Sequence, residues 1–296
     1  MPLWGEFAAL ITAVFWSGTS IVFTEASIRV GSALVNITRL FFAIVLLSLV
    51  ILIVQLEFNL SSTQYINLII SGIIGLVFGD SCLFKAFQIL GARISMLFMA
   101  LAPPIAAVLA YFFLDESLSI VGIIGIIITI FGIGIVITQR EVGAKQSEKI
   151  NKIGILYAMG GALGQGVGLI FAKVAFNEGE INGFVAAFIR IVISFLVLIP
   201  FFVYRKIIQK AVKTFIKDKK ALLFTLIGSI IGPFLGITFS LISVANTQVG
   251  IASTIMATPP ILMLPLVKII YKEQLTSASI LGAFLAVVGV AILFLV

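Results

Sequence analysis

Asp80 is the deepest carboxylate in a chain of long apolar runs, placed in LVFGDSCLFKAF with Lys85 five positions on. An acid at membrane depth is costly and marks a proton-coupling group or a seat for a substrate ammonium, with a structural polar anchor as the plain alternative. Five steps of about 100° leave Asp80 and Lys85 well apart around a helix, so Asp80 is expected to meet another helix or water. It is the candidate for proton coupling and substrate contact. Arg39 in NITRLFFAIVLL and Arg190 in AAFIRIVISFLVL are the other intramembrane charges of note. A guanidinium facing a cavity suits a carboxylate or phosphate, but each Arg lies within about two turns of a helix end, where snorkelling to the interface is the simpler expectation.

Neutral polar groups complete the candidate lining. Trp16 and Ser17 on the first apolar segment correspond to the Gly164-Gln165 stretch of the sixth, and Ser243 and Asn246 lie further on. An aromatic face and an amide beside small residues would orient an amphipathic ligand; ordinary interhelical hydrogen bonding competes at each position. The chain has no His and one Cys, Cys82, so an intramolecular disulfide is excluded and Ser-His, Cys-His and most transition-metal chemistry lose their main residue. No nucleotide-binding motif occurs. The expectation is a protein that is not an enzyme, with no cofactor and no metal.

These residues ride on membrane helices. Hydrophobic residues make up 61% of 296 and charged ones 10%, and the mean hydropathy is +1.27, too little polar surface to cover a soluble globule. A hydrocarbon core of about 30 Å takes roughly 20 residues of helix. That ruler predicts ten spans near 3–23, 33–54, 65–90, 95–114, 119–138, 153–176, 183–204, 222–244, 249–270 and 277–296. The first has no basic run before it, so it reads as a span rather than a cleaved leader.

The spans fall into two similar sets of five. Pro103-Pro104, Glu116, Gly125 and Gly132 recur as Pro259-Pro260, Glu273, Gly282 and Gly289, the glycines following each Glu by 9 and 16 residues in both sets. The expected divisions are a first repeat at 1–140, a linker at 141–152 and a second repeat at 153–296. Five spans per copy is odd, so the copies insert upside down relative to each other: an all-α membrane protein of ten transmembrane helices in two inverted five-helix repeats. The Pro pairs are expected to kink their helices, Glu116 and Glu273 to complement helix N-termini, and the glycines to permit close helix contacts, within the chain or in a homodimer.

Of the 19 Lys and Arg, 15 fall in links on one side of this topology and none in links on the other. The basic side is predicted cytoplasmic and the termini non-cytoplasmic. The run RKIIQKAVKTFIKDKK reads as an orienting loop or a surface amphipathic helix. Orientation accounts for the net charge of +7 without a nucleic-acid partner.

The ordered set FWSGTS, Arg39, GARISMLFMALAPPIAAVLAYFFLDESLS, GQGVGLIFAKVAF, Arg190 and VGIASTIMATPPILMLPLVKIIYKEQLT resembles the drug/metabolite transporter superfamily, in particular its EamA-type ten-helix members, over essentially the whole chain. The resemblance implies a central cavity between inverted repeats and efflux or exchange of small metabolites, such as amino acids or related compounds. Relatives carry their basic cluster between helices two and three; the corresponding link here, 55–64, has no Lys or Arg. The expected partners are a small-molecule substrate and the cell-membrane bilayer, with the chain multi-pass and monomeric or homodimeric. A lipid flippase and a non-transporting scaffold are the alternatives, the scaffold requiring a dry, packed interface between the halves.

Overall fold

The computed structural model describes residues 3–113, 117–138, 151–247 and 249–295, and no strand occurs among them. Glu116 and most of the expected linker lie outside the described residues. Eight helical segments are long and apolar enough to cross a bilayer, and two shorter apolar helices, Ala102–Phe113 and Ser277–Leu293, complete the set.

The first repeat comprises α1 (Trp4–Val30), α2 (Ser32–Val54), α3 (Ser62–Gly72), which runs through a π-helical turn at Ile73–Gly79 into α4 (Asp80–Met99), then α5 (Ala102–Phe113) and α6 (Ile120–Thr138). The second comprises α7 (Lys152–Asn177), α8 (Gly183–Tyr204), the surface helix α9 (Ile207–Lys217) and α10 (Lys219–Ser229). A second π-helical turn at Ile230–Gly236 leads into α11 (Ile237–Asn246), followed by α12 (Val249–Met256), α13 (Pro259–Ile270) and α14 (Ser277–Leu295). Local chemistry sets the ends. Ser61 and Gln64 form a reciprocal capping box at the start of α3, and the side chains of Asn151 and Asn182 accept the first free N–H groups of α7 and α8. Between the third and fourth spans the chain turns at Gly91, whose φ of 78° and ψ of 174° are open to glycine alone at low cost.

The fourth and ninth spans are broken, more than the kink expected of their Pro pairs. Ahead of Pro103-Pro104 the helix tightens, with the Ala100 and Leu101 N–H groups donating to Leu97 and Phe98 oxygens at 3.1 and 2.9 Å. Ahead of Pro259-Pro260, Ala257 and Thr258 repeat the pattern to Thr254 and Ile255 at 3.3 and 3.1 Å. Proline has no N–H to give and its ring crowds the preceding turn. Two adjacent prolines therefore end one helix and start another.

The expected close glycine contact lies within the chain, between α6 and α14. A Cβ on Gly125 would sit 2.5 Å from the Gly289 carbonyl oxygen, and one on Gly282 would sit 2.6 Å from that of Gly132. Thr129 adds hydrogen bonds to the Gly125 and Ala286 carbonyls at 3.0 and 3.3 Å. This interface occupies the glycine faces, so they are not available to join two copies. Outward positions such as Leu52, Ile53, Phe113 and Ile120 are exposed apolar side chains, as a lipid-facing surface requires. The surface helix α9 is amphipathic as anticipated: Phe215 is buried beneath it and Lys213 and Lys217 point outward.

Candidate functional site

The two π-helical turns position the site. Each is seven residues long and occupies the same place in its repeat, with Gly75 and Gly79 in one matched by Gly232 and Gly236 in the other. A π-turn widens the helix by one residue and recurs at functional sites; in the second copy Pro233 also withholds an N–H there. The missing side chains let the opposite repeat approach. A Cβ on Gly79 would sit 3.2 Å from Gly164 of α7, and one on Gly236 would sit 3.0 Å from Trp16 Nε1 of α1. Ser71 ties the first contact down by donating to the Gly168 carbonyl at 2.5 Å.

Asp80 is the first residue after the first π-turn, 5% exposed. Its Oδ2 accepts from Arg39 Nη2 in a buried ion pair. Its Oδ1 accepts from Gln165 Nε2 at 2.6 Å, and the same amide also donates to the Gly75 carbonyl at 3.2 Å. Arg39 Nε donates to Asn36 Oδ1 at 2.9 Å, and Asn36 Nδ2 donates to Ser81 Oγ at 3.1 Å. The Arg39 guanidinium lies over the Phe84 ring, 4.5 Å from its centroid, where the ring face attracts a cation. Lys85 turns away from Asp80, as helix geometry demanded, and donates to Gln88 Oε1 at 2.9 Å.

This network edges a cavity of about 160 Å³ between the repeats. Trp16, Thr19 and Ser20 of α1 line it, with Arg39, Asp80, Gln165, Arg190 and Ser240. Phe23, Phe84, Phe87, Met96, Met99 and Met256 supply much of its apolar wall, and Pro103, Pro259 and Pro260 bring both helix breaks to it. Arg39 and Arg190 were expected to snorkel toward opposite faces. Instead they are 4% and 6% exposed and line one cavity. Asp80 pairs with Arg39, and Gly72 lets α8 approach so closely that a Cβ on Gly72 would sit 2.6 Å from the Arg190 carbonyl oxygen.

The remaining sequence candidates divide. Ser17 is buried and donates to the Ala13 carbonyl at 2.7 Å, outside the lining. Ser243 is buried with its hydroxyl lacking a hydrogen-bond partner among the described residues, also outside the lining. Asn246 is exposed and donates to the Ile242 carbonyl at 2.8 Å. Pro104 is buried beside Pro103 but does not line the cavity. Glu273 does not cap α14. Thr276 does, accepting from the Ser279 N–H at 3.1 Å, while Glu273 Oε2 accepts from Arg93 Nε at 2.7 Å. The cap must sit next to the first turn, and Glu273 lies four residues before Ser277. Sequence reasoning missed Asn36, whose signal was its place three residues before Arg39 on one helix face. It also missed the aromatic wall, for which the sequence carries no distinguishing signal.

Broken helices meeting at a largely apolar cavity edged by buried charges, between two inverted five-helix repeats, define a membrane transporter of small molecules. The chain belongs to the EamA-like transporter family, whose profile matches residues 3–138 and again 152–295. Its fold is similar to a solved crystal structure described only as that of a protein, with a TM-score of 0.65 at 16% identity, over 98% of this chain and 97% of the other. A comparison with curated proteins finds no match.

Proposed function

We propose that the chain is a secondary transporter that exports or exchanges small metabolites by alternating access, amino acids and related compounds being the class its family resemblance implies. The observation that carries this reading is the buried Arg39–Asp80–Gln165 network on the wall of a cavity that both repeats build. Charges are kept at membrane depth where they bind or relay. The two helix breaks at the cavity are the places where α5 and α13 would swing as the repeats rock. A scaffold would want a packed interface, and the cavity counts against it.

Asp80 is the proposed coupling group. Protonation would remove the charge that holds Arg39 and free the Gln165 amide, loosening α2 and α7 from the first π-turn together. Trp16 and Gln165 are the proposed substrate contacts beside it. The basic face is proposed to be cytoplasmic, with both termini on the other side. Reconstitution into proteoliposomes tests this: Asp80→Asn is expected to abolish the pH dependence of solute flux and lower its rate. Flux that keeps its rate and its pH dependence in Asp80→Asn would remove Asp80 from the coupling role.

A further inference from the structure

The duplication placed the same arginine in both copies and gave partners to only one. Arg39 is the eighth residue of α2 and Arg190 the eighth of α8. The positions that serve Arg39 are the fifth residue of its own helix and the first residue after the π-turn, Asn36 and Asp80. Their counterparts in the second copy are Ala187 and Ile237, neither of which can accept a hydrogen bond through its side chain. Arg190 is 6% exposed, its Nε is a buried donor without an acceptor among the described residues, and the negative charge that acts on it, that of Asp80, is already paired with Arg39. A buried unpaired charge is among the most costly features a fold can hold. This one stands on the cavity wall.

The cavity's charges give the sign of what is missing. Arg39 and Asp80 cancel, and both Asp80 oxygens are already taken by Arg39 and Gln165. Arg190 leaves the lining with one uncompensated positive charge. The rest of the wall is largely Phe, Met, Leu, Pro and Ala, and the volume of about 160 Å³ compares with the roughly 150 Å³ that admits a benzene in an engineered core. A phosphate ester or a dianion would bring more charge and more polar surface than one Arg and this wall can meet.

We propose, resting on the transport reading above, that Arg190 is the carboxylate subsite and that the transported solute is a small monocarboxylate with an apolar body. The planar guanidinium offers a fork that matches both carboxylate oxygens. The bound anion takes the place in the second copy that Asp80 fills in the first, so each arginine has a carboxylate when the site is loaded.

The test uses the full chain purified in detergent, thermal shift as the readout, and a series of straight and branched monocarboxylates from acetate to phenylacetate, each beside its own neutral amide. Acids of about isovalerate size are expected to raise Tm and their amides not to, since only a ligand of the folded state stabilises by mass action. Arg190→Gln is expected to weaken the acid's apparent affinity roughly thirtyfold or more, and Arg190→Lys to retain part of it. Without ligand, Arg190→Gln is expected to be as stable as the parent, because it removes an unpaired buried charge. Equal shifts by acid and amide, no shift by any acid, or an undiminished shift in Arg190→Gln would each overturn the subsite. So would a lower ligand-free Tm in that variant, which would mark Arg190 as structural. Proteoliposome flux separates the two readings: uptake of another solute class without acid binding would sink the carboxylate subsite alone, whereas acid binding without flux of any solute would sink transport.

Discussion

Arg93 Nε and Glu273 Oε2 lie 2.7 Å apart and join the two repeats across the basic face, the first residing just past the Gly91 turn and the second just past α13. Beneath them lies a buried layer built from Phe23, Phe84, Phe87, Met96, Met263 and Val267, whose Phe23 and Phe84 rings are 4.8 Å apart. Phe23, Phe84, Phe87 and Met96 of this layer also line the cavity, as does Ser20, so pair and layer are expected to restrict entry from that side. In a Cys82→Ser background, Ser20→Cys should react slowly with an impermeant maleimide supplied from the basic face. Adding Glu273→Gln should speed that reaction by up to about fivefold, the range a partly exposed ion pair commands. An unchanged labelling rate would leave the apolar layer as the sole closure.

The Arg39–Asp80 pair should behave as one unit in a double-mutant cycle. Arg39→Gln or Asp80→Asn alone leaves a buried charge without its partner, expected to cost about 3–5 kcal/mol. The double variant should cost clearly less than the sum. Thermal unfolding in detergent of the four proteins checks this, and additive losses would mean that the two groups do not share their energy.

Much of this site was legible in the sequence, and what was not has a common physical cause. The repeat, the spans and the isolation of Asp80 follow from composition and spacing, because a bilayer imposes a length and punishes a charge. The partners of Asp80 do not follow. Arg39 and Gln165 are 41 and 85 positions away, and no local pattern reports which face of a helix meets which. The π-helical turns were hidden for a related reason: IIGLVFG and IIGPFLG are apolar on every side, so one inserted residue disturbs no visible period. Glu273 misled because its spacing from the glycines is conserved between copies while its partner, Arg93, lies in the other copy. Symmetry of sequence located the scaffold and both arginines, and its breaking at Asp80 singled out the acid, while the matching break at Asn36 went unread.

The seam between α6 and α14 should tolerate no side chain at its centre. Gly125→Ala puts a methyl 2.5 Å from the Gly289 carbonyl oxygen and 2.6 Å from the Leu293 nitrogen, and neither backbone atom can yield without parting the helices. Overpacking of that kind costs about 1–3 kcal/mol, visible as a lower Tm. Gly134→Ala on the same helix meets nothing within 4 Å, so its Tm should match the parent's or rise slightly through better helix propensity. Equal losses in the two variants would show that helix propensity, not the close approach, governs this seam.

Acid should act on the link between α9 and α10. Asp218 accepts the Ala221 N–H at 2.9 Å and pairs with Arg29 at 3.1 Å. The capping N–H, then the Arg29 guanidinium, hold its carboxyl below the usual Asp range. A carboxyl depressed in the folded state contributes stability in full above its unfolded value of about 3.9 and loses it as pH falls through the lower folded value. The start of α10 and its tie to α1 should therefore loosen in acid, well below neutral pH. Hydrogen exchange at the Ala221 amide, corrected for intrinsic rates, should lose protection over that window. In Asp218→Asn the side-chain amide oxygen can still cap the helix but no longer titrates, so protection should stay flat with pH. Loss of protection at the same pH in Asp218→Asn would place the acid sensitivity in another group.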